Sequence, residues 1–272
     1  MTQLRNIKLI LHYDGTNYSG WQTQRLTVSP TIQGVIEGRI ASITGGTSTL
    51  IAAGRTDKGV HSLGQVASFK THSNLPAKTI KRALNATLPE DIRVISVSDV
   101  PLTFHPRYSA LSKTYIYIIN SEEAPLFLRR FFWRVPFELN LDDMQKAGEF
   151  LKGEHDFSAF RGSGCSSKNT IRNILSLDIK PSDRLDFLTW SFHGRLIKIT
   201  ITANAFLRHM VRNIIGTLVE VGRGMMSVEL REVIASKDRR LAGPTAPPQG
   251  LFLEKVDYAP DFSTDASISF FS

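Results

Sequence analysis

Between Gly54 and Gln65 the chain reads Gly-Arg-Thr-Asp-Lys-Gly-Val-His-Ser-Leu-Gly-Gln, and its reactive side chains crowd together there. A single carboxylate, Asp57, stands among Arg55, Lys58 and His61. Glycines at 54, 59 and 64 supply backbone freedom for tight turns on either side of it. Two readings fit this composition. Asp57 either caps a turn in a polar connection, or it is the acid of a reactive loop in which cations favour its charged form. The stretch follows an apolar run, Leu50 to Ala53, and precedes an alternating one, Val66 to Phe69, so it joins two strands.

The elements around it read as follows. Ile7, Leu9, Leu11 and Tyr13 alternate and predict a strand. Ser29-Pro30 predicts a helix start, with Ile32, Val35, Ile36 and Ile40 as its apolar stripe and Gly45-Gly46 as its stop. Strands are expected at 48–53 and 64–70, a helix after Pro76 and a strand over 92–97. This order, strand-helix-strand-strand-helix-strand, is that of the split βαβ unit. The second half repeats it: a strand over 113–119, a helix capped by Asn140, strands at 171–180, 185–192 and 196–202, helices over 205–221 and 227–236, and a strand over 250–258. The tail from Asp261 reads as loose. The expected architecture is α+β: two ferredoxin-like, RRM-like halves forming one extended antiparallel sheet, with helices on one side and a central cleft. The boundary falls in the linker near 100–108, giving halves of 1–104 and 105–272.

Two further groups belong to the second half. Tyr115 and Tyr117 share one strand face, which either lines the cleft, where a tyrosine can stack on a nucleobase, or packs in a core. Arg208 and Arg212 stand four apart in the predicted 205–221 helix, and Val211, Ile214 and Ile215 surround Arg212. A partly buried guanidinium needs a partner, so Arg212 is expected to pair with Asp57 across the cleft; the alternative is an outward phosphate contact or surface pair.

Composition narrows the classes. The chain is 42% hydrophobic and 21% charged over 272 residues, which allows a sizeable core and argues against wholesale disorder. Its single cysteine, Cys165, excludes an internal disulfide framework. Neither a signal-peptide pattern nor a run of about 18 uncharged apolar residues is visible, so a cytoplasmic protein without membrane contact is expected. The net charge is +8, and residues 1–115 hold thirteen Lys and Arg against six Asp and Glu, pointing to a polyanionic partner. Phosphate-binding and dinucleotide fingerprints and clustered metal ligands are missing, so no cofactor and no metal are expected.

Several segments, in order, resemble the TruA-type tRNA pseudouridine synthase family. They are Tyr13-Asp14-Gly15 with Gly20-Trp21-Gln22, the Gly54–His61 block with Gly64-Gln65, Asn85-Ala86 with Leu88-Pro89, and Arg107-Tyr108-Ser109-Ala110 with Tyr115. His155-Asp156-Phe157 with Phe160-Arg161, Asn204-Ala205-Phe206 with His209–Asn213, and Gly250–Leu253 complete the set. Ser62 stands where alanine is frequent, and 181–195 is longer than in some relatives. The resemblance implies a homodimer that isomerises uridine to pseudouridine at positions 38, 39 and 40 in the anticodon stem-loop of tRNA, without a cofactor. It implies Asp57 as the catalytic aspartate, Arg55 as the arginine beside it, Tyr115 as the tyrosine that packs on the target base, and Arg212 as the basic residue facing the acid. The chemistry is consistent with one acid: breaking and remaking a glycosidic bond calls for a carboxylate that stabilises or captures an electron-poor sugar, and the detached base is its own nucleophile. A non-catalytic tandem RNA-binding or chaperone protein is the alternative, which leaves the Asp57 cluster without a role; an RNA-directed hydrolase is a weaker one, for want of metal ligands or a second acid.

Overall fold

The computed structural model describes residues 3–23, 29–187 and 190–262, with backbone alone over 183–194. Its contacts divide the chain into two units, Met1–Ser112 with Leu253–Ser272, and Lys113–Phe252. This division differs from one at 104/105, because the last strand belongs mostly with the first unit. The architecture is mixed α+β, and the strands belong to one mostly antiparallel sheet.

In the first unit, alternation builds β1 (Arg5–Tyr13), whose Ile7, Leu9, Leu11 and Tyr13 are all buried. Helix α1 (Ile32–Thr44) sets Ile32, Ile36 and Ile40 into the same core and ends at Gly45 with φ 74°, a left-handed stop that glycine adopts freely. Its cap is Thr31, not Ser29: the Thr31 hydroxyl accepts the Gly34 N–H at 3.2 Å, while the Pro30 carbonyl is taken by the Ser19 amide at 2.9 Å. β2 is only Ile51–Ala52, shorter than expected, and β3 (His61–Thr71) starts earlier than expected. Helix α2 (Ala77–Thr87) follows Pro76 and buries Ile80 and Leu84; β4 (Ile92–Val100) completes the set. The strand order β4-β1-β3-β2 is antiparallel throughout, and both helices pack on the face carrying Ile7, Leu9, Ala67 and Phe69. A second, smaller cluster of Ala53, Val66 and Phe104, with Tyr258 and Phe262 against it, also belongs to this unit.

The second unit begins in β5 (Ala110–Asn120), to which β6 (Trp133–Arg134) pairs in parallel. Asn140 caps α3 (Leu141–Glu149) by accepting the Asp143 N–H at 3.2 Å. After β7 (Gly153–Asp156) come two long strands, β8 (Ile171–Phe187) and β9 (Trp190–Ala203), where three were expected. The register runs through with shifts at Ile174/Ser176 and Ser182/Arg184, so breaks in the alternation are bulges rather than strand ends. The order β5-β9-β8-β7 is antiparallel.

Helix α4 (Met210–Gly222) starts five residues later than predicted, which puts Arg208 outside it. The Asn204 side-chain oxygen accepts the Ala205 amide at 2.7 Å, and His209 is left-handed at φ 59°, so 204–209 is irregular backbone that ends in a turn at 208–209. α5 (Leu230–Ser236) and β10 (Leu251–Tyr258) follow. Of the expected tail, 263–272 lies outside the described residues. No helix among the described residues is long and apolar enough to cross a membrane.

Candidate active site

The Gly54–Val60 loop leaves β2, enters β3 and is clamped by the segment that follows β1. Thr56 is buried; its hydroxyl shares a 2.8 Å hydrogen bond with that of Tyr13, and its carbonyl accepts the Trp21 amide at 3.0 Å. The Gln65 amide donates to the Gly54 carbonyl at 2.7 Å. Burial pushes the Tyr13 phenol up to about 12, against the pull of its hydrogen bonds with Thr56, Gln65 and Ser62, so the ring stays neutral in this network.

Asp57 follows Thr56 directly. Its carbonyl closes a turn by accepting the Val60 amide at 3.1 Å, with Gly59 at φ 78° supplying the positive φ that this turn needs. The turn of the first reading therefore exists, and a main-chain hydrogen bond closes it. Asp57 itself is half-buried, between exposed Arg55 and Lys58. Two glycines let the clamp close. A Cβ on Gly15 would lie 2.0 Å from the Val60 carbonyl oxygen, and one on Gly20 (φ 96°) 2.8 Å from that of Thr56.

His61, which the sequence sets beside Asp57, has a partner from the segment after β1. His61 is buried, with Nδ1 3.1 Å from the Asp14 carboxylate and 3.1 Å from the Gly15 nitrogen. Burial alone would raise the Asp14 carboxyl, but His61 and the Thr16 hydroxyl and amide hold it well below the usual carboxylate range. The available signal was the Asp14-Gly15 pair directly after a strand, which marks a turn with an acid to satisfy.

In the second unit, Tyr115 pairs in register with Ile201, is 7% exposed and meets Phe206 edge-on at 5.1 Å. Tyr117 is a core residue: its hydroxyl donates to the Pro247 carbonyl at 2.8 Å, and burial raises its phenol far above the ordinary range despite the nearby Arg212 charge. Arg212, in the first turn of α4, is half-buried. Its Nε donates to the Ala246 carbonyl at 2.8 Å, and the Ala246 amide donates back to the Arg212 carbonyl at 3.0 Å.

The segment 239–247 straps this end of α4, and its residues were not singled out from the sequence. Asn213, fully buried beside Arg212, accepts from the Thr245 hydroxyl at 2.6 Å and from Arg239 at 3.2 Å, and donates to the Phe160 carbonyl at 2.8 Å. A Cβ on Gly216 would lie 1.7 Å from the Pro244 carbonyl oxygen, so only glycine admits the strap there.

Known proteins resemble this chain in sequence along nearly all of its length. The family model described as tRNA pseudouridine synthase matches residues 9–109 and 147–259. The chain is 46% identical over 257 residues to tRNA pseudouridine synthase A of Thermoanaerobacter sp. (strain X514), covering 94% of this chain and 100% of that one. It is 43% identical, at the same coverage, to tRNA pseudouridine synthase A of Acetivibrio thermocellus and to tRNA pseudouridine synthase A 2 of Clostridium perfringens. With matched segments spanning both units, the chain belongs to the tRNA pseudouridine synthase family, isomerases that act on uridine in tRNA.

Proposed function

We propose that the chain converts uridine to pseudouridine at positions 38, 39 and 40 of the anticodon stem-loop of tRNA, with Asp57 as the catalytic carboxylate. The observation that carries this reading is the clamp on the Gly54–His61 block: Thr56 is locked on both its hydroxyl and its carbonyl, so the next residue is displayed from a fixed backbone. A reactive group held this way needs little reorganisation on meeting substrate.

The bond between N1 and C1′ of the nucleotide breaks and one between C5 and C1′ forms. The proton lost from C5 is balanced by one gained at N1. Asp57 stabilises or captures the electron-poor sugar carbon while the base is detached. The uridine must first leave its stack, at a cost of a few kcal/mol. Arg55, exposed beside the acid, supports the extruded nucleotide or its phosphate. Tyr115 packs against the base and limits its movement, and Arg212 is the basic residue that faces the acid. The reading includes a homodimer that works in the cytoplasm, where tRNA resides, and sedimentation of the purified chain tests its dimeric part.

Release of tritium from tRNA carrying 5-[³H]-uridine follows the reaction, because C5 loses its hydrogen. Asp57→Asn is expected to reduce release to background while keeping the fold and most of the affinity for tRNA. Substantial release by this variant rejects Asp57 as the catalyst. Mapping the product with carbodiimide tests positions 38, 39 and 40, and label confined to other uridines rejects them.

A further inference from the structure

The turn His105–Ser109 is more rigidly built than a connection requires. Its main chain closes through the Ser109 amide to the His105 carbonyl at 2.9 Å, and the Ser109 hydroxyl accepts the His105 amide at 3.1 Å. His105 Nδ1 accepts the amides of Arg107 and Tyr108 at 3.2 and 3.3 Å, which fixes the imidazole inside the turn. Outside it, the Tyr258 hydroxyl donates to the Pro106 carbonyl at 2.7 Å, and Asn6 donates to the carbonyls of Pro101 and Phe104 at 3.1 and 3.0 Å.

This frame holds one large ring out in solvent. Tyr108 is 77% exposed, the most exposed of the large apolar side chains in the described residues. His105 lies against it with ring centres 4.3 Å apart, and the Arg107 guanidinium is 5.8 Å from its centroid. A mostly exposed aromatic ring is thus backed by an imidazole and flanked by a guanidinium. Its half of the sequence carries a surplus of seven positive charges. Stacking surface together with cationic charge is what an unpaired nucleobase and its phosphate require.

We infer that Tyr108, with His105 behind it and Arg107 beside it, is a stacking platform for an unpaired base of the tRNA, separate from the residues assigned to the reaction. Stacking of this kind is tolerant of base identity, so the platform grips the RNA rather than reading it. The inference rests on tRNA being the substrate, but not on Asp57 being the catalyst.

Anisotropy of labelled tRNA titrated with the full chain tests it. Tyr108→Ala is expected to weaken binding about tenfold, within the range found when a stacking aromatic is removed, whereas Tyr108→Trp stays within about twofold of the native chain. The slope of affinity against salt should be unchanged in Tyr108→Ala and reduced by about one in Arg107→Ala, since only the arginine neutralises a phosphate. Ultraviolet crosslinking of unmodified tRNA should leave a nucleotide adduct on Tyr108. Native affinity in Tyr108→Ala without an adduct overturns the platform. So does native affinity combined with loss of the dimer in sedimentation, which would assign the ring to an interface between copies. Because binding is read without turnover, an active Asp57→Asn variant would reject the catalytic assignment while leaving this result interpretable.

Discussion

Asp14 shows how one side chain outside the reactive loop shapes it. Its carboxylate, 3.1 Å from buried His61 and also held by Thr16, ties the segment after β1 to the start of β3. A carboxyl whose folded-state pKa lies below its unfolded value of about 3.9 stabilises the fold above that pH and loses the contribution as pH falls below it. Asp14→Asn should therefore lower stability at pH 7 by about 1–2 kcal/mol, near the lower end for a charge-assisted hydrogen bond because the group keeps solvent contact. The difference from the native chain should shrink below about pH 4. Urea unfolding at pH 7 and pH 3 measures it, and a difference that does not change with pH contradicts the assignment. That Asp57 sits in a turn was legible from its neighbours, since Gly59 at position 59 supplies the conformation. That Thr56 anchors it was not, because the partner hydroxyl belongs to Tyr13, 43 positions away.

Among the elements, α4 and its strap respond most sharply to a single methyl group. Gly216→Ala drives a Cβ onto the Pro244 carbonyl, so the strap must lift and the Ala246 carbonyl must leave Arg212. The expected outcome is a loss of about 1–3 kcal/mol, typical of overpacking, with a fall in turnover larger than the fall in tRNA affinity. Gly38, in α1, is the contrasting case. Nothing lies within 4 Å of its Cβ position, and Gly38→Ala should raise stability by about 0.5–1 kcal/mol through helix propensity alone. Thermal unfolding of both variants checks the pair, and stability changes of the same sign would remove the packing argument. The helix itself was visible in its apolar stripe, but its start was not. Apolar periodicity continues through Phe206 and Leu207, whereas Asn204 and left-handed His209 turn the backbone before Met210.

At the scale of the molecule, charge is the property that the sequence states most directly. A net charge of +8, with most of the surplus in residues 1–115, suits a ligand that presents many phosphates. Binding of tRNA should weaken steeply with salt, with a log–log slope of roughly −4 to −5 if about five phosphates are neutralised. A slope shallower than about −1 would mean that the basic surplus does not face the RNA. The chain's division into units was harder to read. Residues from Leu253 on return to the first unit, where the Leu253 carbonyl accepts from Ser62 at 3.1 Å and the Phe262 carbonyl from buried Lys8 at 2.5 Å. These partners stand 191 and 254 positions apart, beyond any pattern in a local window.

The sequence by itself determined the alternation and helical stripes that set the order of elements, the glycine-bracketed loop around Asp57, the basic charge and the family. Each of these is local or additive: side-chain periodicity, turn chemistry and summed charge depend on neighbours in the chain. Only the tertiary structure decided what holds the reactive side chains. Asp14 on His61, Tyr13 on Thr56, the 239–247 strap on Arg212 and Asn213, and Tyr258 on the turn that displays Tyr108 all join residues far apart in sequence. Such bonds follow from burial, because a polar group withdrawn from water must find its partner wherever the fold happens to bring one.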